Sequence, residues 1–356
     1  MKNTLTIAFV IAGLTGQSQS DFVRIYDELT DNTSNAYAIT TTYDGGFVCI
    51  GNNNGEVDPD IFLVKTNGEG AAQWARQLNG AEPSLDLALD IIPTRDGGYV
   101  FCGNSARHRM ISKIDAEGQD VWTSHFGNEG KDSYVSVIET QDGGFVAVGD
   151  GMVVTKLDAD GNELWTRNKP TQHKSSYRSV HELPNGDLLF GGFFTAKDMG
   201  KATSVLVKSD ANGKAIWAKT YGPGIINDID TDAEGNIWAA GSVGFAVPVV
   251  QKIDAEGNAI WEGVYEEPHI GSAHSIVVKD VNEAYVFTSG GYIRINGEGR
   301  SQEHQSTMAF GFNDGLLTSN GEMVMAGFST QNVGIYEKFA FMKLGPGGFP
   351  APSAAK

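Results

Sequence analysis

Apolar residues along this chain fall in short runs, cut at regular intervals by two kinds of tight turn. The clearest unit is residues 140–165, TQDGGFVAVGDGMVVTKLDADGNELW. Asp142-Gly143-Gly144 is a turn signal, residues 145–148 are an apolar strand ending at Gly149, and residues 152–157 are a second strand. Asp158-Ala159-Asp160-Gly161 makes a second turn, and Leu164-Trp165 opens a third strand. Gly, Asp and Asn between runs of β-branched and aromatic residues are hairpin chemistry.

The rest of the chain repeats this unit. The first turn recurs at Asp44, Asp96, Asp142, Asn185, Glu234, Asn282 and Asn320, spaced 38 to 52 residues apart. The second recurs with it, ending at Trp74, Trp122, Trp165, Trp217 and Trp261. Its sixth copy is degraded, with Glu303 in the tryptophan's place, and its seventh, Phe341-Met342-Lys343-Leu344-Gly345, stops before any fourth strand. Seven copies at this period suit seven four-stranded units. The strand missing from the last copy stands at the other end of the chain. Residues 22–29, FVRIYDEL, resemble the strands that follow Trp122 and Trp217. An all-β, seven-bladed β-propeller follows, with four antiparallel strands per blade and an N-terminal strand that closes the last blade and leaves no free sheet edge.

The propeller is expected over residues 21–345, after a signal peptide at 1–20 and before a short disordered tail at 346–356. Within each blade the two uniform turns share one face, and the variable connections gather on the other. Binding residues concentrate on such variable loops.

Composition adds the setting. Lys2, an apolar core at residues 5–14 and the small residues Ser18-Gln19-Ser20 read as a secretory signal cleaved near Ser20. The chain is therefore expected to be secreted, periplasmic or on the cell surface. No other apolar stretch approaches the roughly 18–20 residues of a membrane span, so no membrane insertion is expected. The net charge of −18, or −19 without Lys2, argues against nucleic acid and anionic membranes as partners. Cys49 and Cys102 fall on opposite faces of equivalent strands, so two buried thiols are expected, with a disulfide as the alternative.

The motif KLDADGNELW and its siblings resemble the LDA-x-x-G-x-x-x-W strand-turn-strand of tryptophan-docking propellers. That group includes quinoprotein dehydrogenases and the outer-membrane assembly scaffold sharing their repeat. The pairing of T-x-DGG-[FY]-V-x-x-G with K-x-D-x-x-G-x-x-x-W is also similar to tandem repeats of secreted bacterial propellers. The chain departs from the quinoprotein pattern: the turn is one residue shorter, there are seven units rather than eight, and no adjacent Cys-Cys pair exists to lie over a quinone. No cofactor is expected, a structural calcium being the one ion its acids suggest.

Candidate chemistry is sparse. The turn Asp158-Ala159-Asp160-Gly161-Asn162-Glu163 superficially resembles a calcium loop, but Trp165 cuts it short of the twelve residues an EF-hand needs. A basic column, Lys65, Lys113, Lys156, Lys208, Lys252, Arg294 and Lys343, precedes the second turn. Ion pairs are expected for Lys65–Asp44, Lys113–Asp96 and Lys156–Asp142, with the pattern broken where Asn185, Asn282 and Asn320 open the turn. The innermost strands carry Ala38, Asp90, Ser136, Ser179, Asp228, Ser275 and Asp314 near the axis, where small residues fit and Asp90, Asp228 and Asp314 are the metal candidates.

His173, His269, His274, Tyr177 and Arg178 are the catalytic candidates on the variable face, with His108, Arg107, Arg109, Lys174 and Tyr134 nearby. Arg can neutralise the carboxylate of an acidic sugar while His or Tyr moves protons. The expectation is a monomeric, exported, non-catalytic propeller binding a glycan or protein partner through its variable face. A polysaccharide-active, lyase-like enzyme and a cell-envelope assembly scaffold are the alternatives.

Overall fold

The computed structural model describes residues 22–26, 33–54, 59–78, 86–130, 132–168, 174–195, 201–244, 246–307, 310–329 and 337–345. The proposed signal, His173 and the C-terminal tail lie outside these residues. Seven sheets of four antiparallel strands succeed one another along the chain. Six are built from consecutive strands. The seventh consists of the strands Phe310–Leu317, Met323–Ser329 and Lys338–Leu344 completed at its outer edge by Phe22–Ile25. Phe22 pairs with Lys343 and Ile25 with Ala340, so the N-terminal strand closes the ring as the repeats require.

Each blade is sandwiched between two others, which explains why its middle strands are apolar on both sides rather than alternating. Phe145, Val146, Ala147 and Val148 are all buried. Phe145 and Ala147 join the cluster shared with the preceding blade, while Val146 and Val148 join the cluster shared with the next. Buried residues sort into seven clusters, one at each blade interface. Cys49 and Cys102 sit in two different clusters as buried, free thiols.

The repeated tryptophan docks on its neighbour. A Cβ added to Gly161 would stand 2.6 Å from the Trp122 ring, and the residue also holds φ +82°. The turn thus needs Gly twice, for its backbone and for the ring laid on it. The same contact joins Trp74 to Gly118, Trp165 to Gly213, Trp217 to Gly257 and Trp261 to Gly299. At the closure Phe22 takes the tryptophan's place, 2.5 Å from the corresponding point on Gly70. Tyr26 Oη then donates to Gly70 O at 3.3 Å, as Tyr221 does to Gly257 O at 2.9 Å and Tyr265 to Gly299 O at 2.8 Å. FVRIY is therefore in register with WAKTY, Phe22 standing at the Trp position.

Candidate functional site

The site is built by one irregularity repeated seven times. Every innermost strand carries a register shift: between Ala36 and Ala38, Ala88 and Asp90, Tyr134 and Ser136, Tyr177 and Ser179, Ile226 and Asp228, Ala273 and Ser275, and Phe312 and Asp314. A bulge leaves one residue out of the ladder and re-aims its side chain. The glycine closing T-x-DGG-[FY]-V-x-x-G lies opposite it. At Gly149 a Cβ would come within 2.1 Å of Ser133 O, so only Gly lets the bent inner strand approach.

The residues left out are Tyr37, Leu89, Val135, Arg178, Asn227, His274 and Asn313. All seven line one cavity of about 270 Å³ on the axis, together with Ala38, Asp90, Ser136, Asp228, Ser275 and Asp314. The inner strands start at the variable face, so the bulges put this cavity toward that face. Leu89 and Val135 give it an apolar side. Arg178, Asn227, His274, Asn313 and Tyr37 make the remainder polar.

Beneath them the three carboxylates serve the architecture. An innermost strand is a sheet edge, with backbone N–H groups that no ladder satisfies. Asp90 accepts from Val137 N at 2.8 Å, Asp228 from Ile276 N at 2.9 Å and Asp314 from Ile39 N at 3.0 Å, each on the following blade. Asp314 thereby joins the last blade to the first. Asp228 also accepts from Ser179 Oγ at 2.8 Å and Ile229 N at 2.8 Å. Among the described residues no group of three or more His, Cys, Asp or Glu is placed to hold a metal ion. Asp158 is likewise occupied by its own turn, accepting from Asp160 N at 3.0 Å and Asn162 N at 2.9 Å.

Desolvation in the narrow channel, opposed in part by these hydrogen bonds, pushes Asp228 and Asp314 up to about 7 and raises Asp90. An unfolded Asp titrates near 3.9. Between that value and about 7 the folded chain holds protons that the unfolded chain has released, so stability falls as pH rises through this window. Asp96, Asp142 and Asp232 act oppositely. They are lowered to about 2, each hydrogen-bonded to its lysine against the desolvation of its site, and their contribution fades as pH falls below about 4. The melting temperature is therefore expected to peak near pH 4 and to decline toward about pH 7. Asp228→Asn should flatten that decline in a thermal-unfolding pH series; an unchanged slope would contradict the assignment.

Of the catalytic candidates, the structure brings Arg178 and His274 together in the axial cavity. It separates the others. Tyr177 is buried in the sheet against Phe190, with ring centroids 5.4 Å apart. Tyr134 is buried with its hydroxyl 2.6 Å from Thr155 Oγ1. Arg109 pairs with Asp132 at 2.7 Å, His108 reaches Gly127 O at 3.3 Å, and His269 is exposed in a connection with φ +63°. Sequence reasoning missed Tyr37, Asn227 and Asn313, each one residue before the small or acidic position that it did find.

The basic column is structural in all seven blades. Lys65–Asp44 at 3.1 Å, Lys113–Asp96 at 2.5 Å and Lys156–Asp142 at 2.6 Å are paired as expected. The expected break where Asn opens the turn does not occur. Lys208 pairs with Asp187 at 3.4 Å, Arg294 with Glu283 at 3.1 Å and Lys343 with Glu322 at 3.0 Å, because the acid has moved one or two residues along the same turn.

These features define a closed, seven-bladed β-propeller with a polar axial pocket. The family model described as outer membrane protein assembly factor BamB matches residues 63–236, a little under half of the chain. No curated protein matches the sequence. Among solved structures, BamB from Moraxella catarrhalis is similar at 13% identity and a TM-score of 0.52, over 87% of this chain and 83% of that one. The WD40 propeller domain of Doa1 is similar at 12% identity and a TM-score of 0.58, over 88% of this chain and 93% of that one. YCF48, solved bound to D1 peptide, is similar at 10% identity and a TM-score of 0.58, over 92% and 98%. At these identities the likeness is one of fold.

Proposed function

We propose that the protein is an exported, non-catalytic propeller that binds a partner through its variable face, with the axial pocket at the centre of that face. The observation carrying this reading is the convergence of Tyr37, Arg178, Asn227, His274 and Asn313, contributed by five different blades, on one cavity. Closing the ring demands only small residues near the axis. A concave pocket with a few convergent polar groups beside an apolar wall is the usual form of a ligand site. The BamB likeness and the peptide on YCF48 favour a protein or peptide over a glycan, and the BamB likeness and the signal expected at residues 1–20 favour the cell envelope.

A lyase-like enzyme is the second reading, favoured by one observation. Arg178 and His274 share the cavity with Tyr37, which supplies the tyrosine that Tyr177 does not. Burial, and then the neighbouring Arg178, lower the His274 pKa, leaving its imidazole neutral and able to accept a proton.

Native gels of residues 21–356 cast with neutral and acidic polysaccharides, stained for protein and for residual polymer, separate these readings. The expected result is no clearing around the band in any gel. Retardation would identify a glycan ligand, and free migration would place the partner among proteins. Clearing would overturn the non-catalytic reading.

A further inference from the structure

Arg178 stands apart from the other buried or half-buried arginines. Arg76 pairs with Asp120, Arg109 with Asp132 and Arg294 with Glu283 and Glu303. Arg24 donates to the carbonyls of Gly70 and Glu69. Among the described residues Arg178 makes no ion pair, and its buried Nε has no hydrogen-bond partner. Its guanidinium packs over the Phe193 ring, 5.6 Å from the centroid, which fixes its position at the cavity wall. The acid that most favours its charge is Asp150, whose Oδ2 already accepts from Ser133 N. A guanidinium cannot shed its charge as a lysine can, and among the described residues no acid is paired with it, so a ligand entering the cavity finds its donors available.

The rest of the cavity narrows what that acceptor is attached to. Asn313 Nδ2 donates to Asn35 Oδ1 and to Ala36 O, both at 2.8 Å, which leaves its carbonyl oxygen as the free group. Asn227 Nδ2 donates to Ala273 O at 2.7 Å. With Asp228 and Asp314 next to them in the same strands, Asn227 and Asn313 give this side of the cavity mainly acceptors. Arg178, on the strand Ser175–Glu182, offers a cation and a planar fork of donors. A carboxylate matches that fork in geometry, two parallel N–H···O bonds to two oxygens.

We propose that the axial pocket takes a carboxylate held by Arg178, on a ligand that carries hydrogen-bond donors next to that carboxylate. The inference rests on the binding reading above. Two chemistries have this form: the C-terminal end of a peptide, where the backbone N–H adjoins the carboxylate, and a uronic acid, where ring hydroxyls do.

The test is calorimetric titration of residues 21–356 at pH 7 with two acids and their neutral counterparts: N-acetylalanine against N-acetylalaninamide, and methyl glucuronide against methyl glucoside. The expected result is binding of at least one acid, at least tenfold tighter than its neutral counterpart, with the acid that binds naming the source. Arg178→Gln should lose that preference and Arg178→Lys should keep part of it. Among the described residues Arg178 makes no ion pair and its one ring contact is with Phe193, so both variants should melt within a few degrees of the parent. Should Arg178→Gln fail to fold, the acid-over-neutral preference of the parent protein decides alone. No binding of either acid, or equal binding of acid and neutral forms, overturns the carboxylate assignment. The gels and photocrosslinking from the variable face then judge the binding reading separately.

Discussion

Removing residues 22–26 should leave a chain that no longer unfolds cooperatively and that aggregates. Phe22 and Tyr26 are 7% and 3% exposed, packed on Phe341 and Phe339 of the last blade. Arg24 and Tyr26 donate to Gly70 and Glu69 of the first. Burying each aromatic contributes about 2–3 kcal/mol, and the strand's ladder to Lys338–Leu344 adds to it. That sum is a large part of the roughly 5–15 kcal/mol that holds most proteins folded. The deletion also bares a long apolar edge, the form of strand that pairs with other chains. The finer version is Phe22→Ala, expected to cost about 3–5 kcal/mol in urea unfolding followed by circular dichroism. A variant within about 0.5 kcal/mol of the parent would mean that this strand does not hold the ring shut.

The second large effect is expected at Asp232. Six of the seven turn pairs keep a partly exposed acid, but here the Asp232 and Lys252 side chains are 0% and 9% exposed and lie 2.9 Å apart. Asp232 Oδ2 also accepts from Trp238 Nε1 at 3.1 Å, and the Lys252 ammonium sits 4.6 Å from the Trp238 ring centroid. Asp232→Ala would strand a buried ammonium and a buried indole N–H at once. Breaking a buried pair from one side costs about 3–5 kcal/mol, whereas replacing both charges by apolar groups is often neutral. Asp232→Ala is thus expected to lose several kcal/mol, and the double variant Asp232→Ala/Lys252→Met to regain most of it. Asp142→Ala removes an acid that is 63% exposed and leaves the buried Lys156 ammonium its hydrogen bond to Thr140 Oγ1, so it should cost less. Equal losses at Asp232 and Asp142 would show that burial does not distinguish these pairs.

The blades were legible in the sequence because what makes them is local. A Gly with positive φ, a Trp at fixed distance behind it and a doubly buried strand between two turns each leave a mark within about a dozen residues, and Gly161 carries two of those marks alone. The axial ring was only half legible. Ala38, Asp90, Ser136 and their equivalents were found from their distance to the turn. Their predecessors Tyr37, Asn227 and Asn313 were not, because strict alternation sends adjacent residues to opposite faces. The bulge breaks that alternation and brings both to the axis. The same limit misgrouped Tyr177 with Arg178: they are neighbours in sequence, but one enters the blade interface and the other the channel. At Asp187, Glu283 and Glu322 the turn tolerates an acid at more than one position, so the pair survives a shift that hides it from a fixed-column reading.

The variable face as the binding face is the central claim, and site-specific photocrosslinking in the native host tests it most directly. Probes at the exposed positions Arg107 and Lys174 lie on that face, and probes at the exposed positions Glu69 and Glu256 lie on the uniform turns opposite. The expected result is a common adduct from the first pair and none from the second. An adduct formed from Glu69 and Glu256 but not from Arg107 and Lys174 would contradict the account.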